Sequence, residues 1–453
     1  MNIELIRKYN VPAPRYTSYP TVPYWDSKAP SEQQWKESVI NSFQIANRTD
    51  GISLYIHLPY CESLCTYCGC NTRITVNHKV ERPYIDAVLK EWEMYLSIFP
   101  DKPNICEIHL GGGTPTFFSA ENLSHLLSNI IANGKLCKDA QLSFEAHPAN
   151  TTREHLEQLY TIGFRRLSLG IQDFDPHVQD VINRKQSEEQ VRDITELARK
   201  IGYTSVNYDL IYGLPFQTKE SVEATVKKVI DLHPDRIAFY AYAHVPWIKP
   251  GQRKYSEADL PQMETKLELY DLGRKFLEGA GYTEIGMDHF ALQGDELLIA
   301  EQQDRLHRNF MGYTTTQSKL LIGLGTSSIS DSWFGFVQNI KTVEEYQEAV
   351  QQGRFPFFKG HILSHEDLIL RKHILNIMCT YKTSWKEEDQ QCQSLYEGLE
   401  RMNEAVADGL VILEPFQLHI TEKGKSFLRN VCMALDARLH RNQPTQKIFS
   451  SAI

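Results

Sequence analysis

Six short β-rich runs, Ile52–Leu58, Ile105–Leu110, Gln141–Ala146, Arg166–Ile171, Ser205–Ile211 and Arg236–Ala241, recur every few tens of residues along this chain. Between them lie stretches such as Tyr84–Ser97 and Ser187–Lys200, whose apolar residues fall at i, i+3 and i+4 and so predict helices. Strands that alternate with helices build a parallel sheet, because returning to the same edge requires a crossover. In such a barrel the functional groups sit on loops that follow the strand ends. The loop after the first run holds Cys61, Cys65, Cys68 and Cys70, and Gly111-Gly112-Gly113-Thr114-Pro115 follows the second. The two are therefore predicted to share one face.

At 453 residues the chain suits a large α/β barrel with an added module, and no Pro/Gly/Ser-rich linker cuts the first 330 residues. No apolar run approaches the roughly 18 residues of a membrane span. The start, Met1-Asn2-Ile3-Glu4, has an early acid and no apolar core of a signal peptide, so a cytoplasmic location is expected. The net charge of -9 argues against broad binding to nucleic acid or anionic membrane. An anionic small substrate stays allowed if Arg and Lys gather locally in a cleft.

The spacing C-x3-C-x2-C at Cys61, Cys65 and Cys68 suits one corner of a cubane iron–sulfur cluster, three thiolates holding three irons and leaving the fourth open. A zinc knuckle would want a second paired C-x2-C, whereas Cys106, Cys137, Cys379, Cys392 and Cys432 stand singly. Nine cysteines with four packed into ten residues argue for metal ligation and reduced thiols over a disulfide framework. The spacing, Tyr67 before the third cysteine and the position after a strand resemble the loop of radical S-adenosylmethionine (SAM) enzymes, in which SAM ligates the open iron. In that setting the Gly111–Gly113 run, free of Cβ atoms, lets backbone receive the SAM amino group.

Further candidates lie at strand ends. Glu145 ends the third run and Gln172 the fourth, while Asp209 is costly inside an apolar strand unless its carboxylate finds partners. Arg184 offers a fork to a carboxylate, against the plainer reading of a surface helix residue. From about Gly360 the pattern turns mainly helical and then reads helix, strand, strand, helix. That order resembles a winged-helix unit, but the region is not notably basic, so a packing or lid role is favoured over DNA binding.

Pro14–Thr21, Cys61–Asn71, Gly111–Thr116, Gly170–Phe174, Asp209–Pro215, Gly286–Phe290 and His307–Thr315 together resemble the oxygen-independent coproporphyrinogen III oxidase family over nearly the whole length. The resemblance implies an α/β fold: a partial (β/α)6 radical SAM barrel with an N-terminal arm and a mainly helical, winged-helix-like C-terminal domain. Residues 1–35, 36–360 and 361–453 would be the arm, the barrel with its extension and the helical domain. It implies oxidative decarboxylation of two propionates of coproporphyrinogen III to vinyls, giving protoporphyrinogen IX, by a 5′-deoxyadenosyl radical mechanism.

One [4Fe–4S] cluster on Cys61, Cys65 and Cys68 and two SAM molecules would serve that reaction. Tyr55, Gly112, Glu145 and Ile329 would contact the first SAM, and Tyr67, Gly113, Thr114, Gln172, Arg184, Asp209 and Ala243 the second. Cys70 belongs to the family's motif without binding iron. A low-potential electron donor such as a flavodoxin or ferredoxin is implied, and a monomer is expected. The family pattern Glu-x-Asp-Pro stands here as Glu145-Ala146-His147-Pro148, a loss of one acid that is expected to be tolerated. Arg15, Lys249, Arg253 and Arg308 are candidate anchors for the substrate carboxylates, and Pro14–Thr21 a candidate cover for the barrel mouth. The rival readings are a haem chaperone or another haem-modifying enzyme of the same superfamily.

Overall fold

In the computed structural model, which describes residues 3–444, 446 and 448–450, all six predicted strands form. Residues 1 and 2, within the start read above, and the last three residues lie outside the described part. The six are β1 (Ile52–Leu58), β2 (Asn104–Gly112), β3 (Lys135–Ala146), β4 (Arg166–Gln172), β5 (Ser205–Tyr212) and β6 (Arg236–Ala241). Each pairs in parallel with the next. Two boundaries differ from expectation. Gly111 and Gly112 are the last residues of β2, paired with His57 and Leu58, and are not loop. β3 begins six residues before Gln141, in a polar stretch, Lys135–Ala140, that carries no strand pattern.

The sheet also grows at both edges. β7 (Thr283–Ile285) and β8 (His289–Ala291) add an antiparallel hairpin beyond β6. On the far side of β1 lie β9 (Leu321–Leu324), β10 (Ile329–Asp331), β11 (Gly335–Asn339) and β12 (Phe357–Ile362), giving twelve strands in one open sheet. β9 is parallel to β1, the rest antiparallel. Helices are cut to length by their ends. Glu188–Ile201 starts at Ser187, which forms a reciprocal capping box with Gln190, and stops at Gly202, where φ is +119°.

Alternate strand residues face opposite ways. The outward set, including Ile108, Leu110, Phe144, Leu169, Tyr208 and Phe239, packs against the crossover helices as the main core. A second core joins Leu5, Tyr16 and Tyr19 of the arm to Ile374, Leu395 and Leu435 of the C-terminal helices. The expected helix, strand, strand, helix order is present as Asn403–Ala407, Val411–Glu414, Gln417–Ile420 and Leu428–Leu435, with an unforeseen third strand, Lys382–Ser384. No helix among the described residues is long and apolar enough to cross a membrane.

The expectation of reduced, singly placed thiols fails at one point. Cys106 and Cys137 form a disulfide with Cα atoms 4.9 Å apart. They stand 31 residues apart in the chain, and only the pairing of β2 with β3 makes them neighbours.

β10 is tied to the C-terminal helix His365–Thr380 by Arg371, whose Nη1 and Nη2 donate to Asp331 at 3.0 and 2.5 Å. The guanidinium also stacks on Trp333 and Phe336. Both charges are buried, so removing one strands the other. Arg371→Ala is expected to lower the unfolding free energy by about 3–5 kcal/mol in urea denaturation.

Candidate functional site

The cysteine loop leaves β1 at Leu58 and is closed by a two-residue parallel pairing of Tyr60–Cys61 with Arg73–Ile74. His57 Nε2 lies 2.8 Å from the Asn71 carbonyl, at the loop's return. Thr66 anchors the middle, its N–H donating to Ile182 O at 2.9 Å and its hydroxyl to Val181 O at 3.0 Å. Cys61 Sγ lies 3.3 Å from Thr114 Oγ1, Cys65 Sγ accepts from Arg184 Nη1 at 3.7 Å, and Cys68 Sγ accepts from the Cys70 N–H at 3.4 Å. Burial pushes the Cys61 thiol up to about 11 and Cys65 upward. Hydrogen bonding from Cys70 instead draws Cys68 down to about 6.

Against this loop lies the end of β2. Gly112 has φ +117°, and a Cβ on Gly113 would sit 2.6 Å from the Pro59 carbonyl oxygen, so the two segments meet backbone to backbone. Together they border a cavity of about 540 Å³ lined by Cys61, Cys65, Cys68, Tyr67, Gly112, Gly113, Thr114, Glu145, Gln172, Arg184 and Asp209. Glu145 Oε2 accepts from the Gly112 N–H at 3.3 Å. Arg184, far from being a free surface residue, donates from Nη2 to Gly170 O at 2.6 Å while reaching Cys65.

The model of the Radical SAM superfamily matches residues 55–229. The oxygen-independent coproporphyrinogen III oxidase of Salmonella typhimurium is 37% identical over 458 residues, covering 100% of this chain and 98% of its own length. That of Helicobacter pylori is 37% identical, covering 100% and 99%. The chain belongs to this family. The solved structure of the Escherichia coli coproporphyrinogen III oxidase, a radical SAM enzyme, superposes with a TM-score of 0.89 at 36% identity, covering 96% of this chain and 98% of that one.

For a coproporphyrinogen III oxidase the donor set fits the cofactors. Three soft thiols on one loop face a cavity whose opposite wall is glycine backbone, and carboxylates and a guanidinium lie within the same walls. His147, where the resemblance leads to the expectation of an acid, also lines this cavity. Burial drives its imidazole down to about 3, so at neutral pH the position carries no charge.

The lumen continues behind the thiols as a second space of about 200 Å³. Its walls are the inward residues of successive strands, among them Glu107 and His109, Ser143 and Glu145, Asn207 and Asp209. Sequence reasoning found Glu145 and Asp209 but missed their partners, although the period-two polar residues were there to see. Asp209 accepts from Ser168 at 3.0 Å and Asn207 at 2.8 Å. Burial, aided by the charge of Glu145, pushes its carboxyl up to about 6.

Three predicted residues do not line the main cavity. Tyr55 lies behind it, its hydroxyl 3.0 Å from His57 Nδ1. Ala243 is linked through Gln252, whose Nε2 donates to both Ala243 O and Tyr67 O. Ile329 is on β10, across β9 from β1.

The candidate anchors separate. Arg15 lines another cavity, of about 350 Å³, where the arm, the sheet end and the C-terminal helices meet beside Arg429 and Asp288. Arg308 is buried next to it, its Nη2 donating to Arg15 O at 3.5 Å and its Nε without a hydrogen-bond partner. Lys249 donates to Cys70 O at 2.9 Å. Arg253 is exposed and lines neither cavity.

Proposed function

We propose that Cys61, Cys65 and Cys68 hold the [4Fe–4S] cluster with which this radical SAM enzyme oxidises coproporphyrinogen III without oxygen in haem biosynthesis. The observation that carries this is the convergence of the three thiols with Gly112, Glu145, Arg184 and Asp209 around one cavity. When bound, the cluster and SAM supply a carbon radical able to take hydrogen from a propionate side chain, whose loss of carbon dioxide and one electron leaves a vinyl.

The chain's own residues hold and orient. Gly112 and Gly113 let backbone approach a ligand where any Cβ would collide with His57 or Pro59. Glu145 and Asp209 present carboxylates to ammonium and hydroxyl groups, and Arg184 presents a guanidinium to a carboxylate. The division of these residues between two SAM molecules, with Tyr55 and Ile329 at the first and Tyr67, Thr114, Gln172 and Ala243 at the second, follows the family resemblance. Arg15 and Arg308 are the anchors for substrate carboxylates; what supports this is that Arg15 lines the cavity it shares with Arg429 and that Arg308 donates to its carbonyl, whereas Arg253 lines neither cavity. The described residues of the arm and of the helical domain cover the mouth of the barrel unit (36–360), excluding water from a reactive site. The chain acts as a monomer supplied by a low-potential electron donor.

The test is an anaerobic assay of reconstituted protein with SAM, reductant, coproporphyrinogen III and an electron acceptor. Protoporphyrin and 5′-deoxyadenosine are expected together. Deoxyadenosine without porphyrin product would favour the chaperone reading.

A further inference from the structure

Beside the cysteine loop stand two exposed apolar residues, Trp247 and Ile248, that the catalytic reading does not use, next to Leu64 at the edge of the thiol cavity. Leu64, Trp247 and Ile248 are 44%, 47% and 59% exposed, and none of the last two lines the thiol cavity. The segment 245–254, Val-Pro-Trp-Ile-Lys-Pro-Gly-Gln-Arg-Lys, holds three cations and no acid in a chain of net charge -9. It is bolted to the cysteine loop at several points. Gly251 lies close enough to the loop that a Cβ on it would meet Leu64 Cδ2 at 3.5 Å, buried Gln252 donates to Tyr67 O at 3.0 Å, and Lys249 donates to Cys70 O. Leu64 is held from the other side by Asn183, which donates to its carbonyl at 2.8 Å.

Exposed Trp and Ile beside a local excess of positive charge mark an interaction surface and not a solubilising one. The charge selects an acidic partner, and the position selects its task, since the segment is hydrogen-bonded to the cysteine loop itself at Tyr67 and Cys70.

We propose that Leu64, Trp247 and Ile248, rimmed by Arg253 and Lys254, dock an acidic one-electron carrier protein with a low-potential flavin or iron–sulfur centre. The inference rests on the reading of Cys61, Cys65 and Cys68 as cluster ligands. One electron leaves the partner's reduced centre and enters the cluster, and no bond or proton moves at this surface. Small, wet, charge-steered contacts are typical of such transient redox pairs.

The measurement is the affinity of the full chain for FMN-loaded flavodoxin by calorimetry at low and moderate salt, alongside dithionite-driven 5′-deoxyadenosine formation. Trp247→Ala is expected to raise the dissociation constant by about ten-fold or more, and Lys254→Glu to weaken binding and flatten its salt dependence. Dithionite-driven turnover stays unchanged in both. Unaltered flavodoxin affinity in both variants overturns the proposal, as does equal loss of dithionite-driven turnover, which would assign the loop to the cofactor site. Self-association that Trp247→Ala abolishes, without effect on flavodoxin, would assign the patch to a second copy. A wild-type chain making no deoxyadenosine with dithionite would count against the ligand reading alone, because the binding arm is read independently.

Discussion

Cys65→Ala is expected to abolish 5′-deoxyadenosine formation, by at least about three orders of magnitude, and to strip the visible absorption of the reconstituted cluster. Cys70→Ala is expected to retain both. The difference follows from position. Cys61, Cys65 and Cys68 are partly shielded, each with a polar neighbour at its sulfur, whereas Cys70, which lines the same cavity, is exposed. What Cys70 gives Cys68 includes its backbone N–H at 3.4 Å, which alanine keeps. Three ligands leave one iron open for SAM, and a fourth thiolate would close it. Iron content and absorption in the four single variants decide the matter. Loss of iron in Cys70→Ala as complete as in Cys65→Ala would show a four-thiolate site and remove the open position on which the radical chemistry depends.

The part of this site legible in the sequence is the part that is local along the chain. Cys61 to Cys70 and Gly111 to Gly113 each carry their meaning in spacing, since one loop holds three thiols and one strand end is free of Cβ atoms. In sequence Arg184 offers a fork to a carboxylate but reads more plainly as a surface residue, because nothing in its own segment shows that the chain after β4 turns it back onto Gly170 and Cys65. The polar lumen was half legible. Glu107-x-His109, Ser143-x-Glu145 and Asn207-x-Asp209 alternate with apolar neighbours, the mark of strands with one polar face, but that face is a lumen only because the sheet curls around it.

Non-local pairings were invisible for the same reason. The Cys106–Cys137 bridge depends on the register of two strands, and the contact of the Tyr16 hydroxyl with Asp436 at 3.1 Å joins residues 420 positions apart. Amphipathic pattern shows which face of the arm is buried, not that the C-terminal helices bury it.

Asp209→Asn is expected to stabilise the cofactor-free protein near pH 8 while weakening its binding of the second SAM molecule. The native carboxyl is raised from 3.8 to about 6, first by burial and then by Glu145. A raised acid favours the folded state in its protonated form, so its contribution is complete below the ordinary value and is lost as pH rises through about 6. Above that point the fold carries a confined charge, worth at most about 3 kcal/mol from the size of the shift and nearer 1–2 kcal/mol once lumen water screens it.

Asparagine keeps the shape and removes the charge. Its amide can donate to Asn207 Oδ1, a buried oxygen that otherwise lacks a partner, while its oxygen still accepts from Ser168 or Asn207. Urea denaturation at pH 5 and pH 8 should therefore show a gain that grows with pH, and SAM titration should show the loss of affinity. A charge retained at a stability cost is the signature of a group kept for its ligand. If the variant binds SAM as the wild type does, Asp209 serves the lumen's polar network alone, and the cofactor-facing carboxylate of this cavity is Glu145, 3.3 Å from the Gly112 N–H.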